Sequence, residues 1–311
     1  MIPLALSVKA KINGVEHTLT LNTSNGKYEA TIQAPNDSSY NFNPGHYYPV
    51  QVTATDEANN SASVDDTHSE LGNSLKLFVK EKILPTITSV SPSSGANMTT
   101  SNPKISFRVL DNSNGQTSGF SGIDNSSLKL TVNGSLVDNS KITSTGITGG
   151  YQCEYTPTEA LPEGTCVFTI TVSDFDGNTS ATTTVNFKID TQPPTLNVTE
   201  FESSHTNNDT IVVTGSTSDQ TSSPVTINIK VGSVDQGAVN VLADGSFSKT
   251  IQLVNGLNTI TITATDSAGK QSTVTKTITL KTDAPVIKSV FIKENPVDAG
   301  QTYIISVEVE E

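Results

Sequence analysis

The sequence predicts an all-β protein that consists of three similar sandwich domains in tandem, followed by a short C-terminal β segment. A phrase in which an alternating strand ends in Asp occurs at 52–56, 170–174 and 262–266, and such repetition indicates repeated domains. Apolar and polar residues alternate along much of the chain, and no window of about 11 residues has a helical period. Hydrophobic residues make up 34% of the chain and charged residues only 16%, which suits thin sandwiches with polar outer faces.

Prolines that directly follow predicted strands mark the joints between domains. Proline lacks the N–H group that a sheet requires, so it ends one sheet and stiffens the link to the next. These prolines are Pro85, Pro193, Pro194 and Pro285. The predicted domains are residues 1–84, 85–192 and 193–283, with a two-strand C-terminal stub at 284–311.

The first domain opens with strands joined by Asn-Gly turns. Asn13-Gly14 and Asn25-Gly26 both predict tight turns, because these residues tolerate positive φ. Asp65–Gly72, like Thr158–Glu163 in the second domain, is long enough for a short helical turn. The predicted strands are Leu4–Ile12, His17–Leu21, Lys27–Gln33, His46–Asp56 and Leu75–Lys80.

The second and third domains have five predicted strands each, separated by turn residues. In the second domain these are Lys104–Leu110, Leu128–Val132, Gly150–Thr156, Val167–Val172 and Thr183–Ile189. In the third they are Thr210–Gly215, Val225–Val231, Ser246–Leu253, Thr259–Thr265 and Thr273–Leu280.

The stub contains two predicted strands, Ile287–Lys293 and Tyr303–Val309. About 28 residues cannot bury enough surface to fold alone. The stub is therefore predicted to pack on the third domain, to pair with another chain, or to be the start of a further domain. We expect Tyr303–Val309 to be unpaired or to pair with a partner, for example in a homo-oligomer.

The charge of the chain limits its partners. The net charge is −13, with 31 acidic and 18 basic residues, so the surface repels nucleic acid and anionic membranes. No segment approaches the roughly 18 apolar residues of a membrane span. The residues after Met1 alternate like a strand, so a signal peptide is either not used or already removed.

Cys153 and Cys166 both fall on the apolar side of predicted strands. They are either two buried thiols or a disulfide, and nothing else in the sequence marks an oxidising compartment. A metal site would require more ligands at shorter spacing.

The repeated phrase resembles a known family. Gly164–Asp174 with Gly177-Asn178 looks like the penultimate strand and turn of bacterial Ig-like (Big-type) domains. Ser121–Gly134, Asp244–Ser248 and Gly256–Ile262 are similar to the same family. The resemblance covers the second and third domains well and the first less closely, and it implies an Ig-like sandwich for each.

Two residues depart from the pattern of the family. Cys166 stands where Tyr is frequent, and a thiol cannot replace the hydrogen bond of the Tyr hydroxyl. Lys270 stands where the turn usually has Asn.

The resemblance also implies a setting. The segments Gly45–Val50 and Leu75–Lys82 resemble Ig-like proteins of bacteriophage and prophage virions. They imply a non-enzymatic virion component on a phage tail or capsid, assembled in the host cytoplasm with other virion proteins. It would act as a spacer or bind a host cell-surface polysaccharide weakly. The alternative is an extracellular stalk of a bacterial surface adhesin or of a modular enzyme.

The sequence from Asp174 to Asn178 contains a candidate cation site. Asp174 and Asp176 alternate before Gly177, as at the opening of a calcium loop, although Val185 stands where an EF-hand requires Glu. The alternative is a tight turn in which Asp accepts hydrogen bonds from backbone amides. Asp56 and Asp266 at the same repeat position favour the turn. No cofactor other than possible calcium is predicted.

Four aromatic residues of the first domain are candidates for a sugar-binding surface: Tyr40, Phe42, Tyr47 and Tyr48. The alternative is that half of them fill the core of that domain. No catalytic residue is predicted, because the four histidines are dispersed and no nucleophile elbow, phosphate loop or zinc signature occurs. The chain is therefore predicted not to be an enzyme.

Overall fold

The computed structural model describes residues 6–112 and 119–310, so the first two residues of the predicted strand Leu4–Ile12 lie outside it. The protein is all-β, as predicted, and consists of tandem sheet-based domains. Its described residues include two short 3₁₀ helices, Gly72–Leu75 and Asn139–Lys141. The chain divides into two compact units, Met1–Ile189 and Asp190–Glu311.

The first unit begins with a six-stranded antiparallel sheet, which we call the N-terminal sheet region (residues 6–84). Its strands are β1 (Ser7–Ile12), β2 (Val15–Asn22), β3 (Lys27–Glu29), β4 (Tyr48–Thr55), β5 (Ser61–Val64) and β6 (Lys76–Leu77). The order is β3-β2-β1-β4-β5, and β6 also pairs with β4. The Asn13-Gly14 hairpin is confirmed, with φ of 47° and 79° at its two residues.

This region has a small apolar core. Its buried hydrophobic residues are Val8, Ala10, Tyr48 and Val79. Its strands lie in a single sheet, whereas each of the two following domains has two facing sheets. Strands β2 and β5 contain many polar residues and have no fully buried position. They therefore present little apolar surface for a second sheet to cover.

The rest of the first unit is a two-sheet sandwich, here called the central sandwich (residues 85–189). One sheet has the order β11-β10-β14-β15-β8 and the other β12-β13-β9-β7. The strands are β7 (Thr86–Ser91), β8 (Asn97–Met98), β9 (Ile105–Leu110), β10 (Ile123–Val132), β11 (Ser135–Leu136), β12 (Thr143–Ile147), β13 (Gly150–Tyr155), β14 (Gly164–Asp174) and β15 (Thr183–Ile189). Alternate residues of β14, from Cys166 to Val172, are buried between the sheets with Phe107 and Phe187.

The second unit contains a sandwich of the same strand order, apart from a counterpart of β12 that its described strands do not include; it is here called the C-terminal sandwich (residues 190–280). Its sheets have the orders β16-β18-β21 and β17-β23-β22-β19-β20. The strands are β16 (Thr195–Val198), β17 (His205–Thr206), β18 (Thr210–Ser218), β19 (Thr226–Val231), β20 (Val234–Asp235), β21 (Ser246–Gln252), β22 (Gly256–Thr265) and β23 (Gln271–Leu280). Its core includes Val213, Ile229, Ile260 and Ile262, each without exposed surface.

The chain then forms a hairpin of β24 (Val286–Lys293) and β25 (Ile304–Glu310). The alternative in which Tyr303–Val309 is unpaired is wrong, because β25 pairs along its length with β24, whereas its pairing with another chain stays a prediction. Every residue from Lys281 to Glu310 is exposed.

Several short elements differ from the prediction. β5, β7, β12 and β16 were not predicted, because they are rich in Ser and Thr and form edges of their sheets. Thr158–Glu163 contains no helical turn. Near Asp65–Gly72 a 3₁₀ helix begins only at Gly72, because two Asp side chains and a series of turns occupy the preceding residues.

Candidate metal centre

The Asp that ends each repeated phrase closes a tight turn. The backbone N–H of Asp56 donates to Asn60 O at 3.0 Å, that of Asp174 to Asn178 O at 3.0 Å, and that of Asp266 to Lys270 O at 3.1 Å. In all three turns, Oδ1 of the Asp accepts the backbone N–H of the residue four positions later. The three turns are thus the same structure, and the Asp side chain stabilises each of them.

In the central sandwich, this Asp also joins a cluster of carboxylates, which we call the first cluster. It consists of Glu81, Asp111 and Asp174, and an oxygen of each lies within 4.8 Å of oxygens of the other two. Glu81 lies in the segment before β7, Asp111 directly follows β9, and Asp174 ends β14. The exposed fractions of the three residues are 8%, 1% and 2%.

Neutral donors satisfy part of the first cluster. Asn178 Nδ2 donates to Glu81 Oε1 at 2.9 Å and to Asp174 Oδ2 at 2.7 Å, and Gly122 N–H donates to Asp111 Oδ2 at 2.7 Å. The other oxygen of Asp111 is buried and accepts no hydrogen bond. Burial raises the pKa of Glu81 to about 7, and it also raises the pKa of Asp111.

The C-terminal sandwich has a second cluster, formed by Asp190, Asp219 and Asp266, in which one oxygen of each residue lies within 4.8 Å of oxygens of the other two. Asp190 has no exposed surface, and neither of its carboxylate oxygens has a hydrogen-bond partner. Asp266 is 5% exposed, and its Oδ2 is likewise unpartnered. Asp219 Oδ1 accepts the N–H groups of Thr221 and Ser222, both at 2.7 Å.

The two clusters occupy equivalent places in the two sandwiches. Asp111 and Asp219 follow the second long strand of their sandwich, whereas Asp174 is the last residue of the penultimate strand and Asp266 directly follows it. Glu81 and Asp190 each stand four residues before the proline that precedes the first strand, Pro85 or Pro194. The sequence analysis did not single out four of these six residues: Glu81, Asp111, Asp190 and Asp219. Aligning the two domains on Pro85 and Pro194 would have shown that Glu81 and Asp190 occupy the same position.

The structure separates the two predicted calcium ligands. Asp174 joins the first cluster, but Asp176 lies outside that group of three. Asp176 Oδ2 accepts the backbone N–H of Glu81 at 3.0 Å, and its own N–H donates to Ser121 Oγ at 3.1 Å. Asp176 therefore positions the segment that carries Glu81.

Of the four predicted surface aromatics, Tyr40 lies between two other rings. Its centroid is 4.1 Å from that of His46 and 4.4 Å from that of Phe175 in the central sandwich, with nearly parallel planes. The Tyr40 ring thus packs the N-terminal sheet region onto the central sandwich rather than presenting a free face to a sugar.

The other three aromatics differ in exposure. Phe42 is 46% exposed, with its centroid 4.3 Å from that of Tyr48, and Tyr48 is buried at 2%. The Tyr47 hydroxyl donates to Asp66 at 2.8 Å, and Lys76 Nζ lies 5.1 Å from the centre of the Tyr47 ring. Phe42 is therefore the member of this set best placed to contact a ligand, and Tyr48 belongs to the core.

Cys153 and Cys166 are both buried free thiols, on opposite sheets of the central sandwich. The Cys166 thiol donates to Pro162 O at 3.6 Å, and Ser144 Oγ lies 3.6 Å from Cys153 Sγ. Burial raises the pKa of the Cys153 thiol.

Two family models match consecutive segments of the chain. Residues 98–191 match the bacterial Ig-like domain, and residues 194–282 match domain B of glucodextranase. The chain contains tandem Ig-like domains. The matches fall on the two sandwiches that share a topology, and they indicate non-catalytic modules.

One curated relative is bacillopeptidase F of Bacillus subtilis (strain 168). It is 32% identical to this chain over 148 residues, which is 47% of this chain and 10% of the relative. The chain thus spans about a tenth of the length of that protein.

Several solved structures are similar over most of the chain. The fibronectin(III)-like modules of Clostridium thermocellum CbhA are 16% identical, with 63% of this chain and 94% of that one covered and a TM-score of 0.38. A tetra-tandem repeat from the extending region of a large adhesion protein is 17% identical, with 98% and 80% covered and a TM-score of 0.33. Sidekick-1 immunoglobulin domains 1–5 are 12% identical, with 99% and 61% covered and a TM-score of 0.37.

None of the helices in the described ranges 6–112 and 119–310 has the length and apolar character needed to cross a membrane.

Proposed function

We propose that the chain is a non-catalytic spacer of an extracellular modular protein of bacteria, in which its Ig-like domains hold other parts of the polypeptide apart. One observation carries the proposal: two consecutive segments, 98–191 and 194–282, match Ig-like and enzyme-accessory domain models, each on one sandwich. Tandem domains joined by proline-containing segments suit a spacer, because proline limits bending of the segment between two domains.

The names of the matched proteins support the association with an enzyme. Glucodextranase and bacillopeptidase F are both named as enzymes, and the segment shared with the latter is a small part of its length. A domain shared as a small part of a long enzyme is more consistent with an accessory role than with the active site. Exposed Phe42 could also contact a cell-surface polysaccharide weakly in this role. Several copies of a weak binding site on one surface give a higher overall avidity than one copy does.

A component of a phage virion is the second candidate function. The observation in its favour is the resemblance of Gly45–Val50 and Leu75–Lys82 to virion Ig-like proteins. Both segments belong to the N-terminal sheet region, outside the two matched segments. In this function the partners would be other virion proteins, with association through the C-terminal hairpin.

Fractionation of the producing cells tests the two functions. Antibodies raised against residues 85–283 would be used on blots of culture medium, cell surface, cytoplasm and sedimented particles. We expect the signal in the medium or on the surface, in a polypeptide that also has enzymatic activity. Cosedimentation with phage particles, with immunogold label on their tails or capsids, would establish the virion function instead.

A further inference from the structure

We propose that the first and second clusters each bind one Ca²⁺ ion, so that the chain takes up two. This inference does not rest on the spacer function, because it depends only on Glu81, Asp111, Asp174, Asp190, Asp219 and Asp266. The sequence pattern predicts ligands from the single loop at Asp174–Asn178, whereas each ligand set proposed here is assembled from three separate segments of the chain.

Unpartnered buried oxygens are the first argument. Both oxygens of Asp190, one of Asp111 and one of Asp266 are buried without a hydrogen-bond partner. Asp190 and Asp111 are 0% and 1% exposed. Buried polar atoms are almost always satisfied, and a buried carboxylate without a partner destabilises the folded state. A bound cation at the cluster would satisfy these oxygens.

The spacing of the oxygens is the second argument. Carboxylate oxygens bind Ca²⁺ at about 2.4 Å, so two ligands on opposite sides of the ion are about 4.8 Å apart. One carboxylate oxygen of each residue in a cluster lies within 4.8 Å of one oxygen of each of the other two. Three carboxylates are hard ligands that suit Ca²⁺, and neither cluster contains the His or Cys that zinc prefers.

Recurrence in the two sandwiches is the third argument. A cluster kept at equivalent positions in two domains of different sequence is difficult to attribute to chance packing of like charges. The turn at Asp56 in the N-terminal sheet region provides the contrast. Both oxygens of Asp56 accept hydrogen bonds, from Ala58, Asn60 and the Asn60 side chain, and Asp56 is in neither cluster.

Each cluster also has a route for an ion. Asp111 lines a cleft of about 410 Å³ together with Gly122 and Phe175. Asp219, at the equivalent position, lines a cleft of about 350 Å³. The ion could therefore reach the buried carboxylates without unfolding of the sandwich.

Calcium titration of the whole chain, freed of metal with a chelator, tests the proposal. Isothermal titration calorimetry is expected to give two ions per chain. Asp111→Asn and Asp190→Asn are each expected to reduce this to one, and the double variant to none. Asp56→Asn, the matched control in the same turn, is expected to leave two. Mg²⁺ is expected to bind more weakly, because it requires stricter geometry and gives up its water reluctantly.

Binding of the wild-type chain can also be located without any variant. The N–H groups of Gly122, Asn178, Thr221 and Ala268 donate to carboxylates of the clusters, so their NMR resonances are expected to shift on addition of CaCl₂. The N–H of Ala58, which donates to Asp56, is expected to stay in place. This measurement decides the question even where an Asn variant does not fold.

Three results would each overturn the proposal. One is the absence of saturable calcium binding by the wild-type chain at millimolar concentration. Another is a double variant, folded by circular dichroism, that binds calcium as the wild type does. A calcium titration in which the four amide resonances do not move would overturn it equally. Any of these results would mean that the clusters hold no ion.

Discussion

Gly150 in β13 lies against the backbone of the neighbouring strand β9, with which it pairs. A Cβ atom at this position would overlap the carbonyl oxygen of Val109 and lie 2.9 Å from its carbonyl carbon. Gly146 in β12 is in the same sheet, but a Cβ there would have no atom within 4 Å. Glycine is therefore required at position 150, where two backbones approach closely, but not at position 146.

Gly150→Ala is therefore expected to destabilise the central sandwich by about 1–3 kcal/mol, because the backbone of β9 has to move. Gly146→Ala is the control, and it is expected to be neutral or to stabilise by up to about 1 kcal/mol. Urea denaturation followed by circular dichroism measures both. Equal midpoints for the two variants would contradict the close approach of β13 and β9.

The two cysteines provide a second test at the scale of residues. In the folded chain, neither thiol is expected to react readily with a thiol reagent, because both are buried and burial raises the pKa of Cys153, which disfavours the reactive thiolate. In urea without reductant, two thiols per chain are expected to react. A reaction that requires prior reduction would instead indicate a disulfide between Cys153 and Cys166.

At the scale of elements, the C-terminal hairpin has one apolar face. The register places Ile287 opposite Val309, Val290 opposite Val307 and Ile292 opposite Ile305. Residues directly opposite each other share a face, and side chains alternate along β25, so these six project from the same side of the hairpin; an irregularity between Ile287 and Ser289 compensates for the odd spacing of Ile287 and Val290 in β24. All of them are exposed, and an isolated two-stranded hairpin is only marginally stable in water.

Deletion of residues 284–311 is therefore expected to leave the unfolding temperature of the C-terminal sandwich unchanged and to reduce self-association of the chain. An exposed apolar face favours association, which deletion would remove. Light scattering over a range of protein concentrations, together with thermal unfolding, measures both effects. A lower unfolding temperature after deletion would show that the hairpin stabilises the sandwich.

At the scale of the whole molecule, the two sandwiches have separate large cores among the described residues, one in each compact unit. Phe168 in β14 and Ile260 in β22 are both without exposed surface, one in each core. Separate cores allow the units to unfold independently, so a single transition is not expected for a chain of this kind.

Calorimetry is expected to resolve at least two transitions. Phe168→Ala is expected to lower one of them, by about 3–5 kcal/mol in stability, and Ile260→Ala to lower another by about 2–5 kcal/mol. Each variant is the control for the other, because Phe168→Ala leaves the core of the C-terminal sandwich intact and Ile260→Ala leaves that of the central sandwich intact. Variants that lower all transitions together would indicate one cooperative unit.

Local pattern in the sequence was sufficient for most of the strands. The alternation in Thr183–Ile189 was predicted with the bounds of β15 in the structure, and Asn13-Gly14 was predicted as the hairpin turn that it forms. Strands such as β12 were missed because Ser, Thr and Gly give little contrast between a buried and an exposed face. The single sheet of the N-terminal region was missed because alternation predicts a strand but does not predict which sheet it joins.

The sequence by itself determined the all-β class, the repetition of the Asp turn and the two Ig-like sandwiches, because each leaves a local pattern of alternating residues and turn residues in the chain. Only the tertiary structure decided that Glu81 and Asp111 lie beside Asp174, and that Asp190 and Asp219 lie beside Asp266. These residues come from the ends of strands that meet only when two sheets pack face to face. Their approach is non-local, so no spacing between them in the sequence could have indicated it.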